Sequence, residues 1–351
     1  MTQISATVNE NQNTLIIQRI IAFWGFNEAV LGGILHALRI PLTGLFIGSL
    51  AVLLISLLAH YSKDKSVILK ATIIVIIVKA VFSPHTPIIA YSSVLLQGLM
   101  GYALFSRINY KPAASVMLGF FSLLFSALQK LIVTTIVFGT EFWKSIDLFA
   151  DYIFSHLKIF SNTNSFSLSI LLISLYTLIH LIAGITAGIY AIKIPGIIAG
   201  DRVKKLKFEY EASGNPDLIT SDTAGIKRSW WNKPSRLFLF CFLIVVLLLT
   251  YFFPQAGENN AYEILIMIIR AAVIITLWFL VASSALRKYL RKILSKYQFK
   301  HSDEIERIAS LFPAFRKVIY FCWNKSSSEG GLKRIRLFFA ESILLMLVSD
   351  L

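Results

Sequence analysis

The residues of this chain that could do chemistry are polar side chains inside or beside long apolar segments. Lys79 lies near the end of one such segment, and His85 and Thr86 lie in the turn Ser-Pro-His-Thr-Pro that leads to the next. Further polar groups in or beside apolar segments are Asn27, Glu28, His36, Arg39, Tyr91, Gln97, Gln129, Lys130, His180 and Arg270. An ionisable side chain at mid-membrane costs at least about 2.5–3.5 kcal/mol, so these residues are the best indicators of a functional site.

Composition predicts an integral membrane protein. Hydrophobic residues make up 56% of the 351 residues, and charged residues make up only 15%. Soluble domains average about 45–50% apolar and about 25% charged residues. The net charge of +15 is then expected to reflect cytoplasmic loops and contact with anionic lipid rather than binding of nucleic acid.

The apolar segments predict an all-α polytopic fold with eight spans. A helix needs roughly 20 apolar residues to cross the hydrocarbon core. The segments are 18–38, 42–60, 67–82, 88–106, 114–138, 167–192, 236–253 and 263–285. Lys and Arg concentrate at 61–66, 107–111, 193–236 and from residue 287 onward. Because cytoplasmic loops carry this excess, we expect a multi-pass protein of the bacterial cytoplasmic (inner) membrane with both termini in the cytoplasm.

Four regions follow from the spacing of these spans. They are a six-helix transmembrane bundle at 1–196, a polar cytoplasmic linker at 197–235, two further transmembrane helices at 236–285 and a basic cytoplasmic tail at 286–351. The tail mixes apolar and basic residues at helical spacing in 286–298 and 331–348. These stretches predict amphipathic helices that either rest on anionic lipid of the inner leaflet or bind a cytoplasmic partner.

Three outer segments of the bundle carry polar groups, which predicts a substrate pocket open to the outside. Such pockets combine an apolar wall with a few fixed polar groups. The candidate substrate-binding residues are His36, Arg39, Lys79, His85, Thr86, Tyr91, Gln97, Glu141, Trp143 and His180. We expect no metal site and no cofactor, because no HExxH, paired-cysteine, Asp-rich or P-loop motif appears. The tail carries no recognisable nucleic-acid module.

Each candidate also has a structural interpretation. Lys79 and Arg39 would snorkel to the outer headgroups, and His85 would cap the next helix. Gln97 and His180 would form hydrogen bonds between helices.

Glu28 is the most difficult of the polar residues to explain structurally. It would lie below the midplane and need a partner or a proton. Arg19 and Lys130 are its candidate partners.

The first span also contains a pattern of small residues, Ala29-x-x-x-Gly33-x-x-x-Ala37. Small residues at this spacing let two helix backbones approach closely. Gly44 and Gly48, and Gly184 and Gly188, repeat the spacing. The pattern predicts a helix–helix interface, either internal or with a partner.

Residues 1–196 resemble the substrate-binding S component of an energy-coupling-factor (ECF) transporter. The resemblance is carried by the Ala29-x-x-x-Gly33 pattern, by SPHTP at 83–87 with YSSVLLQGLMGYALF at 91–105, and by HLIAGITAG at 180–188. It implies a six-helix bundle with an outward-facing pocket for a vitamin or similar small metabolite. It also implies a transmembrane partner that packs on the small-residue face of Ala29, Gly33 and Ala37, and separate ATPase subunits.

The resemblance assigns roles to several residues and leaves the last third of the chain unexplained. His85 and Thr86 would lie in the loop that closes over the substrate. A pocket-facing Lys79, shielded from water, would favour a carboxylate-bearing substrate. Glu141 and Trp143 would supply a hydrogen-bond acceptor and a stacking face. An S component ends near its sixth helix, whereas two more spans and a basic tail follow here.

Two other functions remain open at this point. The chain could be a non-catalytic membrane adaptor whose basic tail recruits a cytoplasmic partner or anionic lipid. It could also be a membrane enzyme that modifies a lipid, with Glu28, His36 or His85 as acid or base. The absence of a clustered acidic or metal motif favours transport without covalent chemistry over the enzyme.

Overall fold

The structure is a computed structural model that describes residues 2–37, 42–83, 86, 88–157, 167–213, 260–277, 292 and 302–348. All secondary structure within these ranges is helical. The helices are α1 (Thr2–Phe26), α2 (Gly32–Ala37), α3 (Thr43–Tyr61), α4 (Ser66–Phe82), α5 (Ile88–Arg107), α6 (Lys111–Phe138), α7 (Glu141–Leu157), α8 (Leu168–Ile198), α9 (Asp201–Ala212), α10 (Asn260–Leu277), α11 (Ser302–Ser310), α12 (Phe312–Lys325) and α13 (Gly331–Val348). A π-helical turn (Asn27–Leu31) joins α1 to α2, and a 3₁₀ turn (Ser326–Ser328) follows α12.

Within the described ranges, five helical segments are long and apolar enough to cross a membrane. They are Asn13–Leu35, Thr43–Tyr61, Ile89–Arg107, Lys111–Phe138 and Leu168–Ile198. They match the first, second, fourth, fifth and sixth predicted spans, and they make the chain a helical membrane protein. The third predicted span is α4, whose 17 residues extend about 26 Å at 1.5 Å per residue.

Two of the predicted segments are described only in part or not at all. The predicted span at 263–285 overlaps α10, and its described apolar part is Leu265–Ile274. The predicted span at 236–253 lies outside the described residues, as does the tail segment at 286–298 apart from Lys292.

The chain forms two compact units. The first comprises Met1–Ser126, Leu181–Ser221 and Lys292–Leu351, and the second comprises Ala127–His180 and Asp222–Arg291. The first unit therefore contains α1 to α5, the first part of α6, the last part of α8, and α9 with α11 to α13. The second contains α7 and α10 with the remaining parts of α6 and α8.

The core of the first unit is built around α3. Residues 51–59 of this helix are buried without interruption, as expected for a helix that is apolar on all sides and packed by neighbours. Helix α1 packs against α3 and α4, and α4 packs against α5. Ile20, Phe23 and Trp24 of α1 and Val75 of α4 are fully or almost fully buried.

The C-terminal helices pack back onto α1 and α4 within the first unit. Phe312, at the start of α12, lies against Phe26 and Phe82 with ring centroids 5.3 and 5.0 Å apart. Phe315 lies against Phe26 at 5.5 Å and against Phe23 at 5.9 Å. Ring pairs at such distances add about 0.5–1.5 kcal/mol each beyond the burial of their area.

The predicted helix at 331–348 is present as α13. It packs against α1, α9 and α12. Lys325 binds Glu209 of α9 at 2.6 Å and Glu341 of α13 at 3.4 Å, and these contacts join the three helices. One side of α13 is thus covered by the chain itself, whereas Leu332 and Phe339 on the other side are exposed.

Glycines allow α6 and α8 to cross in close contact within the first unit. A Cβ atom at Gly119 would overlap the carbonyl of Gly184, and one at Gly184 would overlap the carbonyl of Gly119. A Cβ at Gly188 would meet the backbone of Ser115, 2.6 Å away. The spacing of Gly184 and Gly188 therefore marks an internal helix–helix interface, one of the two possibilities that the sequence left open.

We expect Gly184→Ala to destabilise the protein by about 1–3 kcal/mol, the usual range for overpacking, despite the helix propensity that alanine adds. The matched control is Gly196→Ala in the same helix, where an added Cβ would meet no atom within 4 Å. Thermal unfolding in detergent measures both variants. Equal midpoints for the two would contradict the close contact.

Candidate functional site

The first unit contains a buried ion pair between the π turn that follows α1 and helix α4. Lys79 Nζ lies 2.6 Å from Glu28 Oε2, and each side chain is only 3% exposed. Phe26 and Val78, which are close to them in the chain, belong to the buried apolar core of this unit. Ionised groups in such surroundings must be paired, because an isolated buried charge is very unfavourable.

The π turn at Asn27–Leu31 places Glu28 for this contact. Asn27 and Glu28 are consecutive, and both are buried. Asn27 donates a hydrogen bond from Nδ2 to the carbonyl of Ile47 in α3 (3.3 Å), while Glu28 accepts one from Lys79 in α4. The wider turn thus satisfies two polar residues on two neighbouring helices. Single π turns within α-helices occur frequently at functional sites.

The sequence-based candidates for the partner of Glu28 were wrong. Arg19 donates a hydrogen bond to the carbonyl of Val348 at 3.2 Å, and the Lys130 side chain is exposed. Lys79 is the partner instead. Regular helical spacing cannot reveal this, because the π turn changes which residues of the first span face inward.

Three further polar residues lie beside the pair. Lys79 Nζ lies 5.8 Å from the centroid of the Tyr91 ring. Tyr91 donates a hydrogen bond from its hydroxyl to the carbonyl of Ser83 at 3.3 Å, and the hydroxyls of Ser83 and Thr86 share one at 2.7 Å. We call Glu28, Lys79, Ser83, Thr86 and Tyr91 the polar cluster.

The structure brings three of the predicted substrate-binding residues together in this cluster, namely Lys79, Thr86 and Tyr91. Gln97 is buried on α5 in the same unit, and its Nε2 lies 3.2 Å from where a Cβ at Gly48 would stand. Arg39 and His85 lie outside the described residues. His36 belongs to α2, but its side chain is not described.

The small-residue face of α1 and α2 packs within the chain over its described part. Ala29 is buried. A Cβ at Gly33 would lie 3.1 Å from Ser83 Oγ of the polar cluster, and one at Gly25 would lie 3.2 Å from Val78. The side chain of Ala37 is not described. The predicted role of Ala29, Gly33 and Ala37 in binding a separate helix stays a prediction.

The other three predicted residues belong to the second unit. Glu141 pairs with Arg270 of α10 at 3.3 Å, and Trp143 donates a hydrogen bond from its indole nitrogen to Thr135 Oγ1 at 2.9 Å. His180 Nδ1 lies 2.9 Å from the carbonyl of Tyr176. Its Nε2 is buried and has no hydrogen-bond partner among the described atoms.

Asp147 is a structural residue whose role the sequence did not reveal. It accepts hydrogen bonds from the backbone N–H and the hydroxyl of Ser169, both at 2.8 Å, and from the hydroxyl of Ser167 at 3.1 Å. These contacts satisfy the start of α8, as a helix N-cap does. Desolvation raises the pKa of Asp147, but the hydrogen bonds from Ser169 and Ser167 outweigh it and leave that pKa below its usual value.

No protein-family model matches this sequence, and no curated protein or solved structure matches it either. In the part of the chain that the structure describes, no group of three or more His, Cys, Asp and Glu residues could hold a metal ion.

The polar cluster is chemically suited to bind a charged ligand, which would replace one member of the ion pair as the partner of the other. It presents an ammonium and a carboxylate in surroundings of low dielectric constant, where charge–charge interactions are strong. Two hydroxyls and an aromatic ring lie next to them. The described hydrogen bond of Glu28 comes from Lys79.

We expect Lys79→Met to lower the free energy of unfolding by about 3–5 kcal/mol, because it leaves the Glu28 carboxylate buried without its partner. The double variant Glu28→Gln with Lys79→Met should recover most of this loss, since neither side chain then carries a charge. Unfolding of the wild type, both single variants and the double variant in detergent gives the coupling energy. Additive effects of the two substitutions would contradict the ion pair.

Asp147→Asn should destabilise the protein by about 0.5–2 kcal/mol near neutral pH, the usual range for loss of a helix N-cap. Because the folded-state pKa of Asp147 is lowered, its contribution is complete above the unfolded pKa of about 3.9. The contribution disappears as the pH falls through the folded pKa. Unfolding midpoints measured from neutral to strongly acidic pH should therefore converge for the two proteins. Asp151→Asn, an exposed position on the same helix, is the control and should have no such effect.

Proposed function

We propose that this chain is the substrate-binding membrane component of an ATP-driven importer of the ECF type. Its substrate is a vitamin or similar small metabolite that carries a carboxylate. The observation that supports this proposal is the buried Glu28–Lys79 ion pair at a π turn, inside the apolar first unit of a helical membrane protein.

Stability alone gives little reason for such a pair. Replacing a buried ion pair by well-packed apolar side chains is often neutral or stabilising, so the pair is weak evidence for a structural role. Ionisable residues inside membrane segments mark substrate or ion sites by default. The adjacent hydroxyls of Ser83 and Thr86 and the ring of Tyr91 add the few oriented polar groups that small-molecule sites contain.

The proposed orientation places the pair in the outer half of the membrane. Glu28 then lies above the midplane, and not below it as its position in the first span suggested. Both termini are cytoplasmic in this orientation, and α4 begins at Ser66 on the cytoplasmic side. Lys79 then lies about 20 Å along the helix at 1.5 Å per residue. A substrate would reach it from outside through the turn between α4 and α5. Separate ATPase subunits would drive its release inward, and the chain itself would break no covalent bond.

One observation favours a second function, that of a membrane adaptor. Helix α13 exposes Leu332, Ile335 and Phe339 next to the exposed basic residues Lys333 and Arg336. Basic residues beside exposed apolar ones are typical of helices that bind anionic lipid or a partner protein. An adaptor would use this face and would need no ligand at the polar cluster.

Thermal unfolding of the purified full chain in detergent, screened against vitamins and other small metabolites, tests the importer. A ligand at about 100 times its Kd adds roughly 2.7 kcal/mol of stability. We expect a saturable shift for at least one carboxylate-bearing metabolite. The shift should disappear in the double variant Glu28→Gln with Lys79→Met, which keeps the site free of unpaired charge. It should persist in Lys70→Met, a control on the same helix that breaks the Lys70–Glu304 pair.

A flat response would contradict the importer, provided that a known S component responds in the same screen. Binding to vesicles of anionic lipid that is lost in Leu332→Ser with Phe339→Ser would then support the adaptor.

A further inference from the structure

The ion pair also indicates the charge of the ligand, and this inference rests on the proposed function. We infer that the ligand is a zwitterion whose carboxylate binds Lys79 and whose ammonium group binds Glu28. Glu28 would then determine specificity as much as Lys79 does.

Because the pair is buried, a ligand carboxylate that binds Lys79 competes with Glu28 for its charge. The two side chains are 2.6 Å apart, and neither is exposed by more than 3%. A ligand with a single negative charge would take over Lys79 and leave the Glu28 carboxylate buried without a partner. Removing one member of a buried pair is strongly unfavourable and would weaken binding by about a hundredfold or more.

Other cations near Glu28 have different partners among the described residues. The π turn packs against α1, α2, α3 and α4. Arg19 of α1 donates to the carbonyl of Val348, and Lys70 of α4 pairs with Glu304. His60 lies at the opposite end of α3 from Ile47, whose carbonyl contacts the π turn through Asn27. The side chain of His36, another possible cation on α2, is not described, and neither is that of the carboxylate Glu10 on α1. Among the described contacts, Lys79 is therefore the cation that Glu28 would lose.

A zwitterion removes this penalty because it replaces both partners at once. Its ammonium group would enter beside Glu28 and meet the ring of Tyr91, which lies 5.8 Å from Lys79 Nζ in the present structure. Aromatic faces attract ammonium groups electrostatically, and the attraction is strongest where both groups are shielded from water.

The carboxylate end of the ligand also has donors besides Lys79. Ser83 follows Lys79 by one helical turn, and its N–H donates to the Lys79 carbonyl at 2.8 Å. The hydroxyls of Ser83 and Thr86 share one hydrogen bond, so the second hydroxyl hydrogen can turn toward a carboxylate. Each half of a zwitterion thus meets a charged residue and at least one neutral polar or aromatic group.

Isothermal titration of the full chain in detergent tests this inference with the standard amino acids, β-alanine and 4-aminobutyrate. Each ligand found is compared with its N-acetyl derivative, which lacks the positive charge, and with its methyl ester, which lacks the negative one. We expect both derivatives to bind at least about tenfold more weakly, since each leaves one buried charge unpaired. Equal affinity of either derivative would overturn the inference.

The Glu28→Gln variant supplies the second readout. This variant should bind the zwitterion at least about tenfold more weakly. It should bind the N-acetyl derivative more tightly, because Lys79 is then left without a competing carboxylate. Glu28→Asp, which keeps the charge, should retain the preference for the zwitterion and covers the case in which Glu28→Gln does not fold. Glu304→Gln, which breaks another pair of 2.6 Å in the same unit, should change neither affinity. An unchanged preference in Glu28→Gln would overturn the inference.

The remaining outcomes separate this inference from the proposed function. If a singly charged metabolite binds in the thermal screen and no zwitterion binds, the importer stands and the inference fails. If no ligand of either kind binds, both fail.

Discussion

Two opposite charges inside an apolar helical unit impose the main constraint on this structure. Glu28 and Lys79 cannot separate without leaving a charge buried and unpaired, so they fix how the first span meets the end of α4. The π turn adapts the first span to this requirement and lets Asn27 bind α3 at the same level. Tyr91, Ser83 and Thr86 are then held around the pair by the turn between α4 and α5. Any movement that opens the pair must therefore shift several helices.

Much of the helical fold follows from the sequence, because apolar runs of membrane length leave few alternatives. The five described spans coincide with predicted ones, and the glycine spacing at Gly184 correctly marked a close helix contact. Lys79 and Tyr91 were identified as candidate site residues by the same reasoning. The partner of Glu28 was not, since it lies 51 residues away and a π turn has no simple sequence signature. The cap formed by Asp147 joins residues 20 and more positions apart and was missed for the same reason.

Polarity in an apolar segment identifies residues that need partners, and it does not tell structural partners from functional ones. Glu141, Trp143 and Lys79 were all selected by that criterion. Glu141 pairs with Arg270 and Trp143 binds Thr135 in the second unit. Lys79, in contrast, belongs to a cluster of five polar groups from the π turn, α4, α5 and the turn between these two helices. The distinction depends on what surrounds each residue in space. It therefore became available only with the structure.

The return of the C-terminal helices to α1 has a consequence for biogenesis. The hydrogen bond from Arg19 to Val348 joins residues 329 positions apart. At about 5–20 residues per second, a ribosome needs on the order of half a minute to synthesise the intervening chain. During that interval Phe23 and Phe26 lack the aromatic partners that Phe312 and Phe315 later supply. The first span is thus made before its own packing surface exists, and the first unit reaches its final form only after residues 312–348 have been synthesised.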